Sequence, residues 1–230
     1  MTIGIIGAMQ MEVDNLKEAL ENQNTTCVSG INFVTGTIGD VNVVAAVCGV
    51  GKVFAAICAE AMILKFNVDM VINIGVAGTL TKDLNVLDVA VATQVFQHDM
   101  DTSALGDPVG LISGINQIFF PTDDKMRTLM CECLKDKGVR YLPGTIATGD
   151  LFVHDPETKA LIRERFGAIA AEMEGGSIGH VCFVNQVPFL VLRSISDGDG
   201  GAIDYQTFAE QAAMVSIDVV LEFIARIDTL

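Results

Sequence analysis

The sequence predicts an α/β protein, a sandwich of helices around a mixed β-sheet. Short runs of apolar, β-rich residues alternate along the chain with segments whose apolar residues recur at helical spacing. Several of those runs, Thr2–Gly7, Met70–Ile74 and Phe189–Ile195, are nearly continuous in apolar residues, as strands buried on both faces are. No low-complexity linker and no internal repeat interrupts the pattern, so residues 1–230 are expected to form a single domain.

Taken in order, Thr2–Gly7 reads as a buried strand that ends in glycine. Met11–Leu20 places Val13, Leu16 and Leu20 at helical spacing. Ile31–Ile38 and Val41–Cys48 flank Gly39-Asp40, a hairpin signal. A helix follows Gly49-Val50-Gly51 and runs to about Phe66, and the strand Met70–Ile74 leads into Gly75-Val76-Ala77-Gly78. Val86–Val95 is a further strand, and 98–123 a long polar loop. Thr128–Leu134 lies in a helix and Val139–Ala147 in a strand. Pro156 suits the first turn of a helix to about Phe166, since its missing N–H costs nothing there. Ile169–Ala171, Gly175–Asn185 and Phe189–Ile195 read as strand, helix and strand, and a last helix runs from about Tyr205 to Ile227.

Composition narrows the function by exclusion. The 230 residues carry 14 Lys+Arg against 29 Asp+Glu, a net charge of −15, with no basic run. That balance repels phosphate backbones and anionic lipid, which argues against nucleic acid and membrane partners. No apolar stretch reaches the roughly 20 residues that cross a bilayer. The N-terminus lacks the basic start of a signal peptide and reaches Glu12 early, so a cytoplasmic location is expected. The six cysteines read as small hydrophobes of a reducing compartment, and neither they nor His98, His154 and His180 show ligand spacing. No metal and no cofactor are expected.

In open α/β sheets ligands sit at the carboxyl ends of strands, which directs attention to Gly7–Glu12, Gly75–Gly78, Gly149–Val153 and Ser196–Gly201. Three ligand motifs fail there and nearby. Gly49-Val-Gly-Lys52 resembles the end of a phosphate loop, but Ala46 and Val53 stand where it needs Gly and Ser/Thr. Gly4–Met9 lacks the dinucleotide spacing, and Asp197-Gly-Asp-Gly-Gly lacks the later acids of a calcium loop. Three carboxylates remain. By position alone each has an ordinary role: Glu12 as a surface acid facing a helix dipole, Glu174 as a cap, Asp197 as a cap or turn residue. Converging in one cleft, they would instead suit cleavage through a cationic transition state.

The ordered motifs Gly7-Ala-Met-Gln-Met-Glu-Val13, Gly49-Val-Gly-Lys52, Asn73-Ile-Gly-Val-Ala-Gly78, Gly149-Asp-Leu-Phe152, Glu172-Met-Glu174 and Arg193-Ser-Ile-Ser-Asp197 span nearly the whole chain. Through them the sequence resembles the 5′-methylthioadenosine/S-adenosylhomocysteine nucleosidases, of the nucleoside phosphorylase superfamily. The resemblance implies a three-layer α/β/α sandwich around a mixed, partly barrel-like sheet, a homodimer, and a place in methionine salvage. It implies hydrolysis of the N-glycosidic bond of an adenine nucleoside, releasing adenine, through an oxocarbenium-like state. Asp197 then matches the general acid toward adenine N7, and Glu12 the base that activates water. Glu174 matches the acceptor of the ribose hydroxyls, with Met173 beside the sugar. Phe152 matches the ring stacked on adenine, and the Val153 backbone pairs with the adenine edge. Arg193 and Ser196 are expected to hold Asp197 in place, and Met9, Gly78 and Glu172 to join the substrate side. Where the superfamily's phosphorylases place a phosphate-binding Arg, Glu12 would repel phosphate, which favours water as nucleophile.

The sequence also departs from the family. Val76 stands where Ser is common, and the loop after Asp197, Gly-Asp-Gly-Gly-Ala-Ile, is shorter and richer in glycine. Tyr205 or Phe208 would supply the aromatic lid over the 5′ substituent. Leu105 fits the hydrophobic contact that a neighbouring subunit donates, whereas Asp107 and Ser113 depart from the usual types. These changes leave open a related hydrolase with another 5′ substituent, of futalosine or adenosine type. A phosphorylase, or a binding protein without turnover, is the remaining alternative.

Overall fold

The structure, a computed structural model, describes residues 1–198 and 202–229. Ten strands follow in chain order: β1 (Thr2–Gly7), β2 (Glu21–Val28), β3 (Ile31–Ile38), β4 (Val41–Val47), β5 (Met70–Thr79), β6 (Val89–Gln97), β7 (Phe120–Pro121), β8 (Tyr141–Thr148), β9 (Ala168–Glu172) and β10 (Phe189–Asp197). Between and after them lie α1 (Asp14–Glu18), α2 (Lys52–Phe66), α3 (Asp124–Asp136), α4 (Pro156–Phe166), α5 (Gly175–Asn185) and α6 (Ala202–Ala225).

All ten strands belong to one mixed sheet. β1 lies parallel to β4 on one side and β5 on the other, and β3 and β2 extend the sheet antiparallel beyond β4. At the other end the sheet closes on itself. β5 pairs with β10, β10 with β6, β6 with β8, β8 with β9, and β9 returns to β5. This is the partly barrel-like sheet that the resemblance implies.

Alternation along the strands assigns their side chains to two cores. Ile3, Ile5, Ile72, Leu190 and Leu192 face a cluster completed by Leu16, Leu129, Val220 and Phe223 from α1, α3 and α6. Ile6, Val71, Val191 and Ile195 face the opposite cluster, with Cys58, Met62, Ile178 and Cys182 from α2 and α5. Burial on both faces is why the strands read as apolar runs. The helix starts also follow local chemistry. Asp123 caps α3 by accepting from the N–H groups of Lys125 and Met126, both at 2.9 Å. Asp155 accepts from Thr158 N at 2.8 Å, with Pro156 opening α4.

Four expectations change. The helix Met11–Leu20 is broken into a 3-10 turn, Gln10–Glu12, and the five-residue α1. The break falls where Glu12 turns inward and Val13 leaves the helical region, at φ −131° and ψ −23°. β2 was not expected, because its sequence ENQNTTCV is polar and mostly exposed. β5 does not end at Ile74 but runs through the glycines to Thr79, paired with β10 as far as Gly78. Cys27 is exposed and Cys131 half-buried, whereas the other four cysteines are buried, and all six are free. Among the described residues no helix is long and apolar enough to cross a membrane.

Candidate active site

Sheet closure brings the ends of β1, β5, β9 and β10 together around a cavity of about 240 Å³. Glu12, Glu174 and Asp197 all line it. The 3-10 turn folds the Glu12 side chain back onto the end of β1. Its Oε2 accepts from the N–H groups of Ala8 and Met9, at 2.6 and 2.9 Å, and Oε1 accepts from Val76 N at 3.1 Å. Glu12 is only 1% exposed, which overturns the reading of a surface acid. Burial pushes its carboxyl above the ordinary value, opposed by Arg193 and by those three backbone donors.

Arg193 explains how so many acids can share this space. It sits inside β10, 1% exposed, and its Nη2 donates to Glu172, to Asn73 Oδ1 at 2.5 Å and to Glu174 Oε2 at 3.4 Å. Burial works against its charge, but Glu172, Glu174 and Glu12 outweigh burial and hold the guanidinium ionised. Glu172 is heavily hydrogen-bonded: Thr148 Oγ1 and Arg193 donate to it, as do the N–H groups of Glu174 and Gly175, at 3.0 and 2.7 Å. It therefore lines the cavity as the counterion of Arg193, with Oε2 taking three donors and Oε1 one. Glu174 is less fully served. Burial pushes its carboxyl up to about 7, against the pull of Arg193 and of the Gly51 N–H, which donates to Oε1 at 2.9 Å. That donor opens α2, so the helix start adds its positive dipole end to Glu174.

Asp197 ends β10 and is 1% exposed. Ser196 Oγ donates to its Oδ1 at 3.1 Å, while Oδ2 has no hydrogen-bond partner among the described residues. Burial raises its carboxyl above the ordinary aspartate value, partly offset by Lys159 and Ser196. A buried acid whose protonated form is favoured by burial, facing a cavity, is suited to donate a proton. Two glycines make these placements possible. A Cβ on Gly75 would lie 2.1 Å from Arg193 Nη1 and 2.6 Å from Glu12 Oε1, and one on Gly78 would lie 2.8 Å from Asp197 Oδ2. Gly75–Gly78 is thus a stretch of strand whose two glycines leave room where charged groups cross it.

The remaining wall is apolar and aromatic. Met9, Val76, Gly78, Phe152, Met173 and Tyr205 all line the cavity, as does Ser196. The Phe152 and Tyr205 rings meet edge to face at 5.6 Å, and Tyr205 Oη donates to Met9 Sδ at 3.2 Å. Tyr205, rather than Phe208, is therefore the aromatic of α6 that reaches the cavity. Phe208 does not line it, nor does Val153, whose side chain is buried in a small cluster with Phe96 and Ile162. Leu105 lies on a separate 3-10 turn, Ser103–Leu105, and is 84% exposed. Arg193, expected beside Asp197, instead serves Glu172 and Glu174, leaving Ser196 as the expected contact that the structure places there. Part of the Gly-rich loop after Asp197, residues 199–201, lies outside the described residues. Ala8, Val50, Ala77 and Ala171 also line the cavity and were not anticipated. Each lies within or beside a quoted motif, and their small size, Val50 apart, is what leaves room.

A family model described as Phosphorylase superfamily matches residues 2–225. The chain belongs to the phosphorylase superfamily. Within that superfamily it is similar to nucleosidases along its whole length. An aminodeoxyfutalosine nucleosidase of Campylobacter jejuni is 35% identical over 229 residues, covering 99% of this chain and 100% of the relative. A 5′-methylthioadenosine/S-adenosylhomocysteine nucleosidase of Bacillus subtilis is 36% identical over 231 residues, covering 99% and 100%. Among solved structures, a Helicobacter pylori nucleosidase mutant with 5′-methylthioadenosine in its active site superposes with a TM-score of 0.94 at 35% identity, covering 100% of this chain and 99% of that one. The closed five-strand ring is thus the superfamily's fold, and these relatives are hydrolases of nucleosides.

Proposed function

We propose that the protein is a purine nucleosidase that hydrolyses the N-glycosidic bond of 5′-methylthioadenosine and S-adenosylhomocysteine, releasing adenine. The observation that carries this is the convergence of Glu12, Glu174 and Asp197 on one cavity with an aromatic and apolar wall. A purine leaving group needs a proton, and the raised carboxyl of Asp197 is suited to supply it. The ribosyl cation that develops is stabilised by nearby carboxylates. Glu12, fixed by three backbone donors and lining the cavity, is assigned as the base that activates water. Glu174 keeps acceptor capacity for ribose hydroxyls, and Phe152 offers a face for the base, with Val153 following it along the chain. A cavity ringed by acids disfavours phosphate as the nucleophile.

The test is adenine release from methylthioadenosine and S-adenosylhomocysteine, with and without phosphate. Phosphate-dependent formation of ribose 1-phosphate analogues would refute hydrolysis. One observation favours a second reading, a different 5′ substituent: a relative 35% identical, against 36% for the methylthioadenosine one, is named for aminodeoxyfutalosine. Relative kcat/KM on nucleosides differing only at the 5′ position separates the two.

We also read the chain as a single domain, because β10 pairs with both β5 and β6 and so ties its two ends into one sheet. The homodimer is supported by apolar side chains left exposed on α2 and α5, among them Val53 at 70%, Leu64 at 66%, Phe54 and Val184. A monomeric mass by light scattering would remove it.

A further inference from the structure

Resting on the reading of Asp197 as the general acid, we infer that Lys159 is a positioning residue for that acid. It holds the backbone behind Asp197 and sets the pH above which the acid stops working.

Lys159 comes from α4, an element that contributes no side chain to the cavity. Its Nζ donates to the Gly198 carbonyl at 2.7 Å and stands 3.8 Å from Asp197 Oδ2. The second distance is too long for a hydrogen bond, so the interaction with the carboxylate is ionic. The Gly198 N–H in turn donates to Asp204 Oδ2 at 3.2 Å on α6. The residue after the acid is therefore held from both sides, by a cation of α4 and a carboxylate of α6. The groups facing Asp197 are Lys159 from α4, Asp204 and Tyr205 from α6, and Ser196 on its own strand. Of these Lys159 is the cation, and its side chain is 13% exposed, so its field is only partly screened.

Lys159 lines a separate surface groove with Lys82, His154 and Arg163, not the cavity. It therefore acts on the substrate only through Asp197. Burial favours the protonated acid, whereas the ammonium favours the carboxylate and opposes burial. An acid must be protonated to donate, yet give its proton up readily. Lys159 supplies the second half of that balance, at the cost of activity at high pH.

The experiment is kcat/KM for adenine release from methylthioadenosine between about pH 5 and pH 10, using the full chain, Lys159→Met, Lys159→Gln, Lys159→Arg and Asp197→Asn. Without the cation the falling alkaline limb should move up by about 1–3 pH units, and Lys159→Arg should restore it. A lost packing contact would lower the whole curve without moving the limb. A limb unmoved in both Lys159→Met and Lys159→Gln overturns the role of Lys159. The Asp197→Asn arm tests the reading beneath: a loss of about 100-fold or more supports the acid, and near-full activity removes it whatever the lysine variants do.

Discussion

Replacing Arg193 by methionine tests how the buried carboxylates are tolerated. Arg193 is 1% exposed and is the cation shared by Glu172 and Glu174, with a further bond to Asn73. Removing one partner of a buried ion pair typically costs about 3–5 kcal/mol, because the remaining charge is left unpaired. Here the cost must depend on pH. In the unfolded chain Glu174 ionises near its ordinary value of about 4.3. In the folded variant, burial without the cation lifts Glu174 beyond its present value of about 7. The folded variant thus binds more protons than the unfolded chain from about pH 4.5 upward, and stability falls as pH rises through that window. At low pH Glu174 is neutral, and the loss is that of the hydrogen bonds and contacts of Arg193. Urea unfolding at fixed protein concentration should show a loss of about 3–5 kcal/mol at about pH 8 and about 1 kcal/mol less at about pH 5. The difference arises because wild-type Glu174 stays protonated to about 7 and the variant diverges from it only above that, at about 1.4 kcal/mol per pH unit. Equal losses at the two pH values would mean that Arg193 contributes contacts but no charge compensation, and the account of the cluster would be wrong.

Glu174→Gln probes the same cluster from the acid side. Glu174 is raised from 4.5 to about 7, so the wild-type fold loses on the order of 3 kcal/mol between those pH values, at about 1.4 kcal/mol per pH unit. The variant should show a flatter stability profile over that window, read by thermal melts, and a profile as steep as wild type would contradict the assignment. Gly75→Ala inserts a methyl 2.1 Å from Arg193 Nη1 and 2.6 Å from Glu12 Oε1. It should lower stability by about 1–3 kcal/mol and impair adenine release, and a melting temperature equal to wild type with full activity would count against the contacts described. Phe152→Ala removes an aromatic wall that is 39% exposed, so it should raise KM for adenine nucleosides while moving the melting temperature little. An unchanged KM would exclude Phe152 from the binding surface.

The buried strands and most helices were legible in the sequence because two-sided burial leaves apolar runs and because caps such as Asp155-Pro156 are local. The three acids were recognisable by motif, but their environment was not. Nothing near Glu12 in sequence shows that Val76 N and Arg193 will approach it, since both arrive through pairing of β5 with β1 and β10. For the same reason Arg193 was assigned to its sequence neighbour Asp197, whereas strand geometry sends it to Glu172 and Glu174. Lys159 was invisible too: it lies on another helix, with nothing in its local pattern to distinguish it from a solvated lysine.

Closing five strands into a ring hides their backbone groups, and among the described residues β2 lies at the open end of the sheet. An exposed edge is a template on which another chain can add a strand, the first step of aggregation. Here that edge carries Glu21, Asn22, Gln23, Asn24 and Thr25, all exposed, with Asn22 at φ 53° and the register shifted between Glu21 and Asn24. A polar, irregular edge is a poor template. The lack of apolar alternation that concealed β2 from pattern reading is therefore also what keeps a sheet so rich in buried apolar strands from growing beyond its own chain.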